Sequence, residues 1–259
     1  MRSYYAIDAM RDRWLDKGHL VIVGRDFAPE ADVCVLHRDR TVLTKDDIPP
    51  APEGVPVIND SILDISKRRI STNLLSPASD WSGKVIIKTN HNAFGNPEKR
   101  DNRGLYGRLR RHFARFSWRS ARMLPKGLYP ILNTLGDVPD WVWRSDELVV
   151  EKFLPEMDGD LFCLRGWLFL GNKGYCYRLF ATHPLVKVGS MVRYEYLETV
   201  PDELQAIRTK LQFDFGKFDF VMREGQLILL DANKTPSFTG PRDTPRFKML
   251  ASGIEDFFA

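Results

Sequence analysis

The chain has 259 residues, 43% of them apolar, 12% aromatic and 28% charged, which excludes a disordered chain and leaves room for one or two domains with a real core. Three cysteines at wide spacings (Cys34, Cys163 and Cys176) match neither a disulfide framework nor a zinc-ligand pattern, and so fit a reducing compartment. No uncharged apolar run reaches the roughly 18 to 20 residues that cross a bilayer, and the N-terminus lacks a signal-peptide core, so the expected location is cytoplasmic, with no membrane partner.

In chain order, His19–Gly24 and Asp32–His37 read as short strands, Ile48–Pro56 as a proline-rich connector and Val55–Asn59 as a further strand. Ser61–Leu75 has helix-compatible apolar spacing, and Gly83–Lys88 is a compact strand running into a polar loop, Thr89–Pro97. The formal charge of +4 conceals an uneven distribution. Residues 99–126 hold ten Lys or Arg against one acid, Asp101, for a local charge of +9, leaving −5 for the remainder. Arg108, Arg111, Arg115, Arg119 and Arg122 step by three or four, opposite Leu105, Leu109, Phe113 and Phe116, which predicts an arginine-faced helix over 105–122. Such a face is either simply solvated or a landing surface for an anionic partner, such as nucleotide phosphates, an acidic carrier or a peptide. Nucleic acid is the weaker choice, because no recognised nucleic-acid module accompanies the patch.

Further along, Glu147–Leu154 reads as a strand, and Asp160–Leu170 with Tyr175–Thr182 as a hairpin joined by Gly171–Gly174. A helix follows over Asp202–Gln212, then a second hairpin, Phe218–Arg223 with Gln226–Leu230, around Glu224-Gly225, and a C-terminal helix over Thr244–Phe258. Strands that run in pairs between separate helices predict an α+β fold with mainly antiparallel sheets.

The second hairpin carries the chemistry. Asp219 and Asp231 interrupt apolar strands, and a three-residue loop, Glu224–Gln226, would set them directly opposite each other with Asn233 on the same face. A loop of two or four residues would put the acids on opposite faces. Facing carboxylates repel, and burial without compensation would cost several kcal/mol. Mg2+, a hard oxygen-seeking cation that takes one or two carboxylates plus substrate phosphates, would compensate, with the Asn233 amide oxygen as a neutral ligand. The simpler alternative is a strand-edge charge followed by an ordinary turn. Lys88, at the end of its strand beside a polar loop, suits phosphate oxygens, and Glu151 could accept a hydrogen bond from an adenine amino group.

The stretches Val85-Ile86-Ile87-Lys88, Leu148 to Leu154, Lys217-Phe218-Asp219 and Leu229 to Pro236, together with Lys67, resemble the ATP-grasp superfamily in their order. The resemblance implies two α+β subdomains gripping ATP between their sheets, over 61–145 (with the basic insertion 99–126) and 146–259, after a short α/β N-terminal region over 1–60. It implies that Lys67 and Lys88 contact the nucleotide and that Glu151 meets the adenine amino group. Lys152, Phe153, Leu154 and Leu230 would line the base pocket, and Asp160, or its neighbour Asp158, would meet the ribose. Asp219, Asp231 and Asn233 match magnesium positions, and Arg178 and Lys217 would offset transition-state charge. The implied activity is an ATP-dependent carboxylate-amine ligase working through an acyl phosphate and releasing ADP and phosphate. A carboxylate-thiol ligase, a kinase, or a non-catalytic nucleotide-binding module that docks an acidic partner are the alternatives. Carboxylate and amine substrates, small molecules or peptides, are the expected partners.

Overall fold

The computed structural model describes residues 4–95, 114, 116–124 and 127–258. Strand β1 (Tyr4–Tyr5) leads into helix α1 (Ala6–Asp16), an element not expected from the sequence. Ala6, Ala9, Met10 and Trp14 form its buried stripe, and Gly18, at φ 88°, follows its end. The strand expected at His19–Gly24 does not form. Leu20 and Val23 are 82% and 77% exposed, and without a strand to pair with, an extended segment gains nothing over solvated coil. β2 (Cys34–Val35) and β3 (Val57–Ile58) make a small parallel pair.

The helix expected over Ser61–Leu75 shrinks to α2 (Lys67–Ile70). On either side the backbone bonds outward: Leu43 N donates to Leu63 O, Ile65 N to Thr41 O and Leu75 N to Val150 O, so neighbouring segments replace the i−4 ladder. Ile62, Ile65 and Ile70 still point into the core.

The small sheet has the order β5-β4-β6, all antiparallel, from β4 (Val85–Thr89), β5 (Ile131–Leu132) and β6 (Leu148–Lys152). Strand alternation sends Val85, Ile87, Leu148 and Val150 into a core with Val138 and Val142. Ile86, Lys88, Val149 and Glu151 occupy the other face. Arg108, Arg111 and Arg115 lie outside the described residues, so the arginine face is visible only in α3 (Trp118–Ala121), and Arg122, left-handed at φ 48°, caps that turn. Helix α4 (Asp140–Trp143) precedes β6.

The large sheet runs β10-β9-β8-β11-β12, with β7 also paired to β8, and is antiparallel throughout. Its strands are β7 (Glu156–Asp158), β8 (Leu161–Leu170), β9 (Lys173–Ala181), β10 (Arg193–Leu197), β11 (Phe215–Arg223) and β12 (Gln226–Asn233). One face buries Trp167, Phe169, Phe218, Phe220 and Leu229 against Leu204 of α5 (Asp202–Leu211). On the other face, Leu168, Leu170 and Phe215 are covered by α1 and by α6 (Pro245–Ala251), joined where Trp14 Nε1 donates to Ala251 O at 2.8 Å. β13 (Ser237–Phe238) pairs with β1 and ties the first residues to the end of the carboxylate hairpin. The fold is therefore α+β with mainly antiparallel sheets. Among the described residues no helix is long and apolar enough to cross a membrane.

Candidate active site

The β11–β12 hairpin closes through two residues, Glu224 (φ 51°) and Gly225 (φ 80°), both left-handed as a tight hairpin turn requires. With an unbroken ladder Asp219 would then face Leu230, and the two acids would lie on opposite faces. A register shift between Asp219 and Phe220 absorbs one residue of β12, so that Asp219 pairs with Asp231 and Lys217 with Asn233. The facing carboxylates expected from a three-residue loop thus arise from a two-residue loop and a bulge.

Lys217 Nζ lies 2.9 Å from Asp219 Oδ2. Burial raises the Asp219 pKa; Lys217 and Lys67 oppose that, and Asp231 adds to it. Burial disfavours the charge on Lys217, but Asp219, Tyr177 and Asp231 outweigh it and raise its pKa. Gly166 stands opposite both Asp219 and Tyr177, and a Cβ on it would fall 2.3 Å from Tyr177 Cζ. The missing side chain at 166 is what lets the Tyr177 ring lie there.

Lys67, 3% exposed, reaches from the start of α2 to Asp231 Oδ1 at 3.2 Å and to Asn92 Oδ1 at 3.5 Å. Asn92 is itself anchored, donating through Nδ2 to Ala232 O and through its backbone N–H to Thr41 Oγ1. The polar loop after β4 is therefore pinned to the carboxylate hairpin. On the small sheet, Lys88 Nζ lies 2.6 Å from Glu151 Oε2. Glu151 is fully buried, and beyond this ion pair its carboxylate has no hydrogen-bond donor among the described residues.

One residue of this cluster was missed in the sequence. The hydroxyls of Tyr129 and Thr89 are 3.1 Å apart, and the Tyr129 ring packs 4.4 Å from that of Phe94. Burial pushes the Tyr129 pKa up to about 12; the Thr89 hydrogen bond opposes this, Asp231 and Glu151 add to it and Lys88 opposes it. Tyr129 thus senses groups from both sheets. A tyrosine in a connecting loop carries no spacing signal that would have singled it out.

Other expected residues lie apart from this cluster. Arg178 pairs across the ladder with Arg165, which pairs with Phe220, so it belongs to the face opposite Asp219 and Lys217. There it donates to Glu195 at 2.8 Å and lies 3.9 Å from Glu156; the Glu195 hydrogen bond, opposed by burial, raises its pKa. Asp160 is exposed in the β7–β8 turn, and Asp158 pairs with Arg193. Lys152 turns to the Trp81 ring, 4.9 Å from its centroid, and its backbone N–H and C=O are both taken by Asn73. Phe153 N donates to Lys84 O, which leaves the Leu154 amide as the one in this trio without a partner among the described residues. Leu230 is the half-buried residue displaced at the bulge. Asn233 Oδ1 accepts the Thr235 amide at 2.8 Å. No group of three or more His, Cys, Asp or Glu side chains gathers as a metal centre among the described residues.

No family model matches the chain, and no curated protein does. Solved structures that match include the macrocyclase MdnC bound with precursor peptide MdnA from Microcystis aeruginosa (9% identity, TM-score 0.39, 68% of this chain and 48% of that one). They also include a D-alanine–D-alanine ligase from Bacillus anthracis (14%, TM-score 0.33, 66% and 54%). A third is a RiPP-associated ATP-grasp ligase from Chryseobacterium gregarium in complex with ADP and a leader and core peptide (10%, TM-score 0.34, 52% and 45%). The chain spans about half the length of each of these structures.

Proposed function

We propose that the chain is an ATP-dependent carboxylate-amine ligase with its reaction centre between the small sheet and the carboxylate face of the large one. The observation that carries this reading is the bulged hairpin, which sets Asp219 opposite Asp231 with Lys217 and Lys67 in contact with them. The Lys88–Glu151 pair of the small sheet supplies the second half.

The residues fit a nucleotide. The Oε1 oxygen of buried Glu151, not engaged by Lys88, can accept from an exocyclic amino group, the Leu154 amide can donate to a ring nitrogen, and Lys67 and Lys88 can turn from carboxylates to phosphates. They also fit a divalent cation: two carboxylates that repel across one rung, with an amide oxygen one rung pair away, are a hard-oxygen donor set. Asp219, Asp231 and Asn233 would hold Mg2+, which supplies neutralisation of phosphate charge. In the reaction an oxygen of the substrate carboxylate attacks the γ-phosphorus and ADP leaves. An amine then attacks the acyl carbon, phosphate leaves and the amine proton passes to solvent. Lys217, held ionised by Asp219, offsets the charge that develops on the transferring phosphoryl oxygens.

Thermal unfolding with and without Mg-ATP, on the wild type and on Asp231→Ala, tests the reading. A ligand at one hundred times its Kd adds about 2.7 kcal/mol, or roughly 5 to 10 °C at this size. A magnesium-dependent shift present in the wild type and lost in the variant is expected, followed by ADP release on screening acids with amines. An equal shift in both proteins would remove the cation assignment.

A further inference from the structure

The N-terminal region reaches the carboxylate hairpin through a chain of hydrogen bonds that ends at Asn233. Tyr5 OH donates to Asp39 Oδ2 at 2.6 Å. The Thr235 hydroxyl lies 3.1 Å from Asp39 Oδ1 and 3.3 Å from Asn233 Oδ1. The backbone fixes these positions: β1 pairs with β13, and Ala6 N donates to Pro236 O at 2.7 Å, so Tyr5 and Thr235 are held side by side. Thr235 is 5% exposed, which leaves little room for water to take over either contact.

A threonine hydroxyl has one proton and cannot donate to both acceptors. Asp39 is nearer and, as a carboxylate, the stronger acceptor, so the proton goes to it. The consequence falls on Asn233. An amide oxygen has two lone pairs, and the Thr235 backbone N–H takes one of them. Had the hydroxyl proton gone to Asn233, both would be filled. With the proton on the Asp39 side, one lone pair of Asn233 Oδ1 stays open.

We infer that Asp39 is a positioning residue: by holding the Thr235 proton, it keeps the Asn233 amide oxygen available to a divalent cation. The inference rests on the reading of Asp219, Asp231 and Asn233 as cation ligands. It also gives the N-terminal region a specific part in the site, beyond covering the sheet with α1.

The test is the factor by which saturating Mn2+ tightens ADP binding, taken from calorimetric Kd values with and without the metal. Loss of an outer partner of a metal ligand typically costs 10- to 100-fold in metal affinity, so Asp39→Ala should lower this factor about tenfold while the metal-free ADP affinity stays at the wild-type value. Thr235→Val removes the competing hydroxyl. It should keep the wild-type factor and abolish the effect of Asp39→Ala added to it. A merely structural role for Asp39 would instead persist in the Thr235→Val background, and that result overturns the inference. So does a wild-type factor in Asp39→Ala alongside a reduced one in Asn233→Ala, which leaves the cation reading standing. If Mn2+ fails to tighten ADP binding to the wild type, or Asn233→Ala keeps the full factor, the cation reading falls and the inference with it. Should Asp39→Ala not fold, Asp39→Asn replaces it, with a reduction in the same direction expected because a neutral acceptor holds the proton less firmly.

Discussion

Lys88→Met isolates the most deeply buried of the three ion pairs described at the site. At 2.6 Å the attraction between Lys88 and Glu151 is about 6 kcal/mol with an effective dielectric constant near 20. Most of this is offset in the intact protein by the desolvation of both groups. The variant loses the attraction but keeps the desolvated carboxylate, because Glu151 is 0% exposed and has no hydrogen-bond donor among the described residues that could take over. The expected cost is about 3 to 5 kcal/mol. At roughly 2 °C per kcal/mol, the lower end of the range for a chain of this size, that lowers Tm by about 6 to 10 °C. Lys88→Met/Glu151→Leu removes the stranded charge as well and should recover most of the loss. Urea unfolding of the wild type, the single and the double variant reads both expectations. A single variant within about 1 kcal/mol of the wild type, or a double variant no more stable than the single one, would refute the description of a dry, mutually dependent pair.

Lys217→Ala should lower kcat by about 100- to 1000-fold, the cost of losing one donor aimed at transition-state charge, with the fold intact; Arg178→Ala, on the opposite face, should leave turnover near wild type and lose stability through Glu195 and Glu156. Steady-state ADP release separates the two, and equal losses would return Arg178 to the reaction. Lys234 is 1% exposed, donates to the carbonyls of Ile62 and Leu63 at 3.4 Å, and has its pKa pushed down to about 8 by burial, against Asp64 and Asp47. The unfolded chain holds that proton up to the ordinary lysine value near 10.4, so between about pH 8 and 10 folding is favoured increasingly as pH rises, by about 3 kcal/mol in total. Lys234→Met should remove this rise in urea-derived stability, and parallel wild-type and variant curves would argue against it.

What could be read from the sequence follows from local rules, and what could not depends on partners far along the chain. The period-two alternation and glycine turns of 161–182 and 215–233 carry the antiparallel hairpins. The facing of Asp219 and Asp231 was conditional on a loop length, and the structure reaches it through a bulge at Leu230. Nothing in a run of four aliphatic residues marks which one steps out of the ladder. The face of Arg178 depends on its register with β8, which fixes it against Phe220 rather than Asp219. Ser61–Leu75 has helical spacing, yet its backbone finds partners in Thr41, Leu43 and Val150, contacts 20 to 75 residues away that no local pattern reports. Asp39 and Tyr129 belong to the same class: each is an ordinary residue until the fold brings it to Thr235 or Thr89.

The charges of the proposed site bear on how the ligands of the proposed reaction must arrive. Lys67, Lys88 and Lys217 each lie within 3.2 Å of a carboxylate, from Asp231, Glu151 and Asp219 respectively, so the three pairs balance. A polyphosphate binding here adds several negative charges. As Lys67 and Lys217 turn donors toward it, they offset less of the repulsion between Asp219 and Asp231, which face each other across the rung. A divalent cation on those two acids removes that cost. Nucleotide and cation should therefore bind with positive coupling, each tightening the other by the same factor, as linkage requires. Titrating ADP at several Mn2+ concentrations, and Mn2+ at several ADP concentrations, measures the factor from both sides, after correction for Mn-ADP formed in solution. In Asp231→Asn, where the mutual repulsion is gone before any ligand binds, the coupling should weaken, and coupling that survived unchanged would mean that the lysines do not exchange partners when the phosphates bind.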